Sequence, residues 1–145
     1  MSTMLLIDVN VLVFAYRTEA QDYSAYRNWL ERALESGSPC GFADLVLSAV
    51  VRILTHPGIY REPTPLEAAL KYVEWLREHP GCLPVSAGSR HWGIFTALCR
   101  SASVRGALVS DAYFAALAIE AGAEWITTDR DYARFPGLRW RHPLG

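Results

Sequence analysis

Lysine is nearly missing from this chain: of 14 basic residues only Lys71 is a lysine, and the other thirteen are arginines. A phosphoacceptor domain of the receiver type also clusters aspartates at strand ends, but it needs a lysine close to the acceptor phosphate. Lys71 falls in the middle of an amphipathic helical pattern, which speaks against that class. Cysteine is sparse and odd in number (Cys40, Cys82, Cys99), with no C-x-x-C pair and no His-x-x-x-His to complete a zinc or redox site. The three read as buried free thiols of a reducing compartment. No apolar run approaches the roughly 20 residues of a membrane-spanning helix, and the first residues enter a strand pattern without a basic leader or cleavage site. The expected location is the cytoplasm, with no membrane partner. No G-x-G-x-x-G follows the first apolar run, which disfavours a dinucleotide-binding enzyme. Neither sign of charge is in excess, and a formal net charge of −1 means that bulk electrostatics do not draw the chain to nucleic acid.

What is present is apolar. Hydrophobic residues make up 51% and aromatics 12% of 145 residues, enough for one domain spanning 1–145 with a single core, and more than disorder allows. The arginines have planar forks suited to bidentate phosphate contacts, although an arginine-rich composition equally follows from genome base composition. Apolar runs alternate with helical patterns throughout. Strands are expected at Thr3–Asp8, Cys40–Phe42, Cys82–Ser86, Trp125–Thr128 and Leu138–Arg141. Helices are expected at Val11–Tyr16, Tyr23–Ser36 capped by Asp22, Asp44–Leu54, one started by Pro63-Thr64-Pro65 and running to Glu78, Arg90–Ser101, and Asp111–Ala121 capped by Ser110 and closed by Gly122. This order predicts a three-layer α/β/α domain with a mainly parallel sheet.

Four aspartates end or follow apolar runs: Asp8, Asp44, Asp111 and Asp129. The carboxyl ends of parallel strands lie side by side, so such carboxylates can converge on one crevice. Converged carboxylates repel one another unless a cation separates them, and Mg2+ is the natural occupant of an all-oxygen site. Asn10, two residues after Asp8, either orients it or caps the next helix. Asp111, read in the first turn of its helix, is expected to be kept ionised by the helix dipole. Thr127, Thr128, Asp129, Arg130 and Asp131 crowd one strand end with a carboxylate at Asp129 and another at Asp131, and Asp131 is an alternative cap for the short helix after it.

In these segments the chain resembles the PIN-domain ribonucleases, and more narrowly the VapC-type toxins of bacterial toxin–antitoxin pairs. The resemblance runs through Leu6-Ile7-Asp8-Val9-Asn10, the stretch from Leu47 to Pro57 with its Arg52-Ile53-Leu54-Thr55-His56-Pro57, Ser110-Asp111 through Gly122, and Thr127 through Leu144. It implies metal-dependent cleavage of an RNA phosphodiester, with Asp8, Asp111 and Asp129 holding Mg2+ or Mn2+ and Asn10 and Thr127 supporting them. One departure stands out. The family usually carries a further acid, often glutamate, in the helix after the second strand, where this chain has Ala49; Asp44 is assigned that role, with helix capping as its alternative. Arg17, Arg52, Arg130 and Arg134 are the candidates for gripping phosphate. The resemblance also implies transfer or ribosomal RNA as substrate, a VapB-like antitoxin that holds the toxin inactive, and a homodimer, with the helices around Trp29 and Trp75 offering surface to a partner. A PIN fold that has lost activity and serves as a binding module is the competing reading, supported by Ala49.

Overall fold

A computed structural model describes residues 3–145. In chain order it contains β1 (Leu5–Ile7), α1 (Val9–Phe14), α2 (Tyr23–Glu35), β2 (Cys40–Ala43), α3 (Asp44–Leu54), α4 (Leu66–Glu78), β3 (Cys82–Val85), α5 (His91–Ser101), α6 (Ala107–Ala121), β4 (Glu124–Ile126) and β5 (Trp140–Arg141), with a 3-10 turn at Arg130–Arg134. The strands form one parallel sheet in the order β3-β2-β1-β4-β5. The chain therefore winds outward from β1 to β3, then returns to the other flank of β1. That reversal leaves a crevice at the carboxyl ends of β1 and β4, the place where open α/β sheets take ligands. Ile7 pairs with Ile126, so the next residues, Asp8 and Thr127, emerge side by side.

β1 is apolar because it is central. Leu6 and Ile7 are buried, as are Phe42, Trp125 and Ile126 on the neighbouring strands, in the manner of a strand covered on both faces. α1 packs on α2 and α3, α3 on α4, and α5 on α6. The two helix groups enclose the sheet in the three-layer α/β/α arrangement that the alternation predicts. In α6 the fully buried Ala112, Ala115, Ala116 and Ala118 allow close approach, and Gly122, at φ +65°, ends the helix by donating to the carbonyls of Ala118 and Ile119.

The start of α6 differs from the expectation. The helix begins at Ala107, four residues before Asp111, because Gly106 (φ 63°, ψ −133°) turns the chain in a conformation open to glycine and lets Ala107-Leu108-Val109 enter the helix. Ser110 is therefore inside the helix, not its cap. Asp22 does stand at the cap position of α2, but in the left-handed region and without a side-chain bond to the helix. Cys40 is buried, whereas Cys82 and Cys99 are only partly so; all three are free thiols. Among the described residues no helix is long and apolar enough to cross a membrane.

Candidate active site

Asp8 follows β1 and caps α1. Its Oδ1 accepts from the Val9 N–H at 2.7 Å, and its Oδ2 accepts from the Thr127 hydroxyl at 2.6 Å and from Asn10 Nδ2 at 3.2 Å. Thr127, fully buried at the end of β4, accepts in turn from the Asp129 N–H at 3.0 Å. Asn10 Oδ1 accepts from the Thr128 N–H at 3.3 Å. Asn10 is thus a bridge between the two strand ends and not a cap, and Asp8, Asn10, Thr127 and Asp129 form one connected network.

Asp111 reaches the same cleft from α6. It lies beyond the first turn, where the helix dipole has faded, so the expected stabilisation of its charge is absent. Its carboxyl is raised instead, chiefly by burial; Tyr132, which donates its hydroxyl to Oδ1 at 3.2 Å, opposes the rise, while the charge of Asp129 adds to it. Burial pushes Asp8 up from its ordinary 3.8 to about 6, with the bonds from Thr127 and Val9 opposing and the charges of Asp111 and Asp129 adding. Tyr132 had no signal in the sequence: it lies 21 residues from Asp111, and only the fold joins the two.

The cleft has a volume of about 800 Å3 and is lined by Asp8, Asn10, Arg52, Asp111, Asp129 and Tyr132 among others. Among the described residues that line it, Arg52 is the only cation against three carboxylates. No three acidic, histidine or cysteine side chains among the described residues are gathered closely enough to hold a metal ion by themselves. The cleft is negative, open and short of positive charge.

Asp44 is not part of it. Five residues separate Asp44 from Ala49, which does line the cleft, and at 100° per residue the two positions point about 140° apart on α3. Asp44 is exposed and faces α4, where Arg77 donates Nε to its Oδ1 at 2.9 Å and holds its carboxyl below the ordinary range. α3 therefore contributes Ala49, Ser48 and Arg52 to the cleft, and no acid. Asp131 is also displaced from its assigned place: Asp129 caps the 3-10 turn by accepting from the Asp131 N–H at 2.9 Å, and the Asp131 carboxylate is exposed, 3.9 Å from Arg134.

The arginines divide. Arg52 faces the cleft with no ion pair among the described residues, and the charge of Arg134 is felt by Asp111 even though its Nε donates to the Asp131 carbonyl at 3.0 Å. Arg17 is engaged elsewhere, bonded to Glu19, to the Glu62 carbonyl at 3.0 Å and to Thr64 Oγ1 at 3.1 Å. Arg130 faces a separate depression beside Trp140 and His142.

The PIN domain family matches residues 5–138 of this chain. The chain belongs to the PIN domain family. As a PIN domain it is 40% identical over 141 residues to ribonuclease VapC43 of Mycobacterium tuberculosis, covering 97% of this chain and 96% of that relative. It is 36% identical over 140 residues to ribonuclease VapC25 of the same organism, covering 97% and 99%. These full-length matches place the PIN domain in the VapC group. The crystal structure of VapBC2 from Rickettsia felis bound to a DNA fragment from their promoter shares the fold, with a TM-score of 0.71 at 15% identity over 96% of this chain and 98% of that one.

Proposed function

We propose that this chain is a Mg2+-dependent endoribonuclease acting as the toxin of a VapBC-type pair, with Mn2+ as a substitute ion. The reading is carried by one observation: three carboxylates from β1, β4 and α6 converge on a cleft that holds a single arginine. The donor set fits a hard divalent ion, since Mg2+ takes one or two carboxylates and completes its shell with water and phosphate oxygens, so no closed protein cage is required. Asp8, Asp111 and Asp129 would share the ion, one or two of them directly and the rest through its bound water. When bound, it supplies a more acidic water and offsets charge developing on the phosphoryl oxygens.

The remaining work falls to the chain itself. Val9, Thr127 and Asn10 fix both oxygens of Asp8, and Tyr132 fixes one oxygen of Asp111, so the carboxylates need little reordering when substrate arrives. Arg52 offers a planar cation to a phosphate that the carboxylates alone would repel. The substrate class is structured transfer or ribosomal RNA, whose cleavage arrests translation in the cytoplasm. A VapB-like antitoxin holds the toxin inactive, and the toxin pairs as a homodimer. Ribonucleases VapC43 and VapC25 at 36–40% identity support RNA cleavage, and the VapBC complexes that share the fold support an antitoxin partner.

The test is cleavage of labelled RNA by the purified chain. Cleavage with Mg2+ or Mn2+ that stops on adding EDTA is expected; equal cleavage in EDTA, or none with either ion, contradicts the reading and favours a binding module.

A further inference from the structure

The aspartate cleft does not end at its own rim. A second groove, of about 1270 Å3, adjoins it, and Ile59 and Tyr60 line both. Tyr60 sits in the α3–α4 loop, which is tied to itself: the Ile59 and Tyr60 N–H groups both donate to the His56 carbonyl at 3.1 Å, and the Gly58 N–H donates to His56 Nδ1 at 2.9 Å. The Arg17 guanidinium lies 3.9 Å from the centre of the Tyr60 ring and is itself held by Glu19, Glu62 and Thr64. The ring is therefore backed and ordered before any ligand arrives, which lowers the entropy cost of binding against it.

The chemistry of this groove differs from that of the cleft. Arg17, Arg27 and Arg61 line it together with Glu19, Glu31 and Glu62, three charges of each sign, and Arg17 and Arg27 are already paired with Glu19 and Glu31. It has no surplus of positive charge for phosphate, and it presents the rings of Tyr16, Tyr23 and Tyr60. Flat aromatic surface with little net charge, beside a cleft built for a phosphodiester, suits an unpaired nucleobase. We propose that Tyr60 is the platform of a nucleobase subsite, on which one unpaired base of the RNA stacks while its neighbouring phosphodiester lies at Asp8, Asp111 and Asp129. The proposal rests on the ribonuclease reading above.

The test combines a protein variant with a substrate variant. A short labelled single-stranded oligoribonucleotide is bound to the full chain with Ca2+ in place of Mg2+, and abasic sites are placed one position at a time. Wild type is expected to lose affinity roughly ten-fold at one position beside the cut. Tyr60→Leu is expected to weaken the intact oligonucleotide by a similar factor and to be indifferent to that abasic site, while Tyr60→Phe behaves as wild type. In cleavage assays Tyr60→Leu raises KM and leaves kcat unchanged. Its log Kd against log salt keeps the wild-type slope, whereas Arg52→Gln flattens that slope by about 0.7, the loss of one phosphate contact on a single strand. A flat abasic scan in wild type overturns the subsite without involving any variant's folding. So does a Tyr60→Leu protein that binds RNA normally but binds the antitoxin more weakly, which would assign the ring to a peptide. A wild type that neither binds nor cleaves RNA is a different outcome, since there the ribonuclease reading itself fails.

Discussion

Asp8 carries a cost that a metal would remove. Its carboxyl is raised from 3.8 to about 6, so the folded protein holds this proton more tightly than the unfolded chain does. The sign follows from linkage: below pH 3.8 the group is neutral in both states and costs nothing, stability falls as pH rises from about 4 to about 6, and the full loss, about 3 kcal/mol, is present at neutral pH. Asp8→Asn removes the charge and keeps the size, but its amide nitrogen cannot accept the bonds that one Asp8 oxygen takes, a loss that does not depend on pH. The melting temperature of metal-free Asp8→Asn relative to metal-free wild type should therefore rise by roughly 6–12 °C between pH 4 and pH 7, and Mg2+ should offset that rise by stabilising wild type alone. A gap that does not change with pH would show that Asp8 carries no burial cost. Residue by residue, the sequence displays the site unevenly. Asp8 and Asn10 lie within one turn of chain, and Thr127 and Asp129 within another, so their grouping is local and readable. Tyr132, three residues after Asp129, meets Asp111 only through tertiary packing, and Arg52 reaches the cleft in the same way. Asp44 misleads because sequence proximity to Ala49 hides the 140° that a helix puts between positions five residues apart.

Elements are set by where glycine is needed and where it is merely tolerated. Gly81 leads into β3 directly against α2, and a Cβ there would collide with the Leu34 carbonyl oxygen, a backbone atom that cannot move aside. Gly93 lies inside α5 with open space around it and an ordinary φ. Opposite outcomes are expected in thermal melts: Gly81→Ala loses about 3 kcal/mol through overpacking, and Gly93→Ala gains about 0.5–1 kcal/mol from helix propensity. A stable Gly81→Ala would mean that β3 and α2 are less tightly apposed. The element order and the limits of α3 are legible because strand runs and helical periods alternate between clear Pro and Gly breaks. The start of α6 is not. Ala107-Leu108-Val109 reads equally as a strand or a helix by apolar pattern, and the deciding feature is the positive φ of Gly106, a backbone property that the sequence only permits.

On the scale of the whole molecule, the observed apolar surface extends beyond the expected partner face. Trp29 packs against the core, and Trp75 stacks on Tyr72, lies under Arg27 at 5.0 Å and meets His79 edge-on, yet Trp75 stays 37% exposed and Leu66 on the same helix 56%. A second group of exposed apolar side chains, Leu45, Ile59 and Val109, rims the aspartate cleft, and Trp92 on α5 is 68% exposed. The sheet order, the cleft at its reversal and this apolar rim make one functional end of the molecule, with Asp44 outside it. The central claim is that three aspartates, without a fourth acid from α3, are the machinery of that end. It is tested most directly by RNA cleavage rates of Asp111→Asn and Asp44→Asn measured side by side in Mg2+. Asp111→Asn is expected to lose activity by roughly 100-fold or more, because it weakens the hold on the ion that offsets developing charge, while Asp44→Asn cleaves at the wild-type rate. Loss of cleavage in Asp44→Asn, or wild-type cleavage by Asp111→Asn, would contradict it.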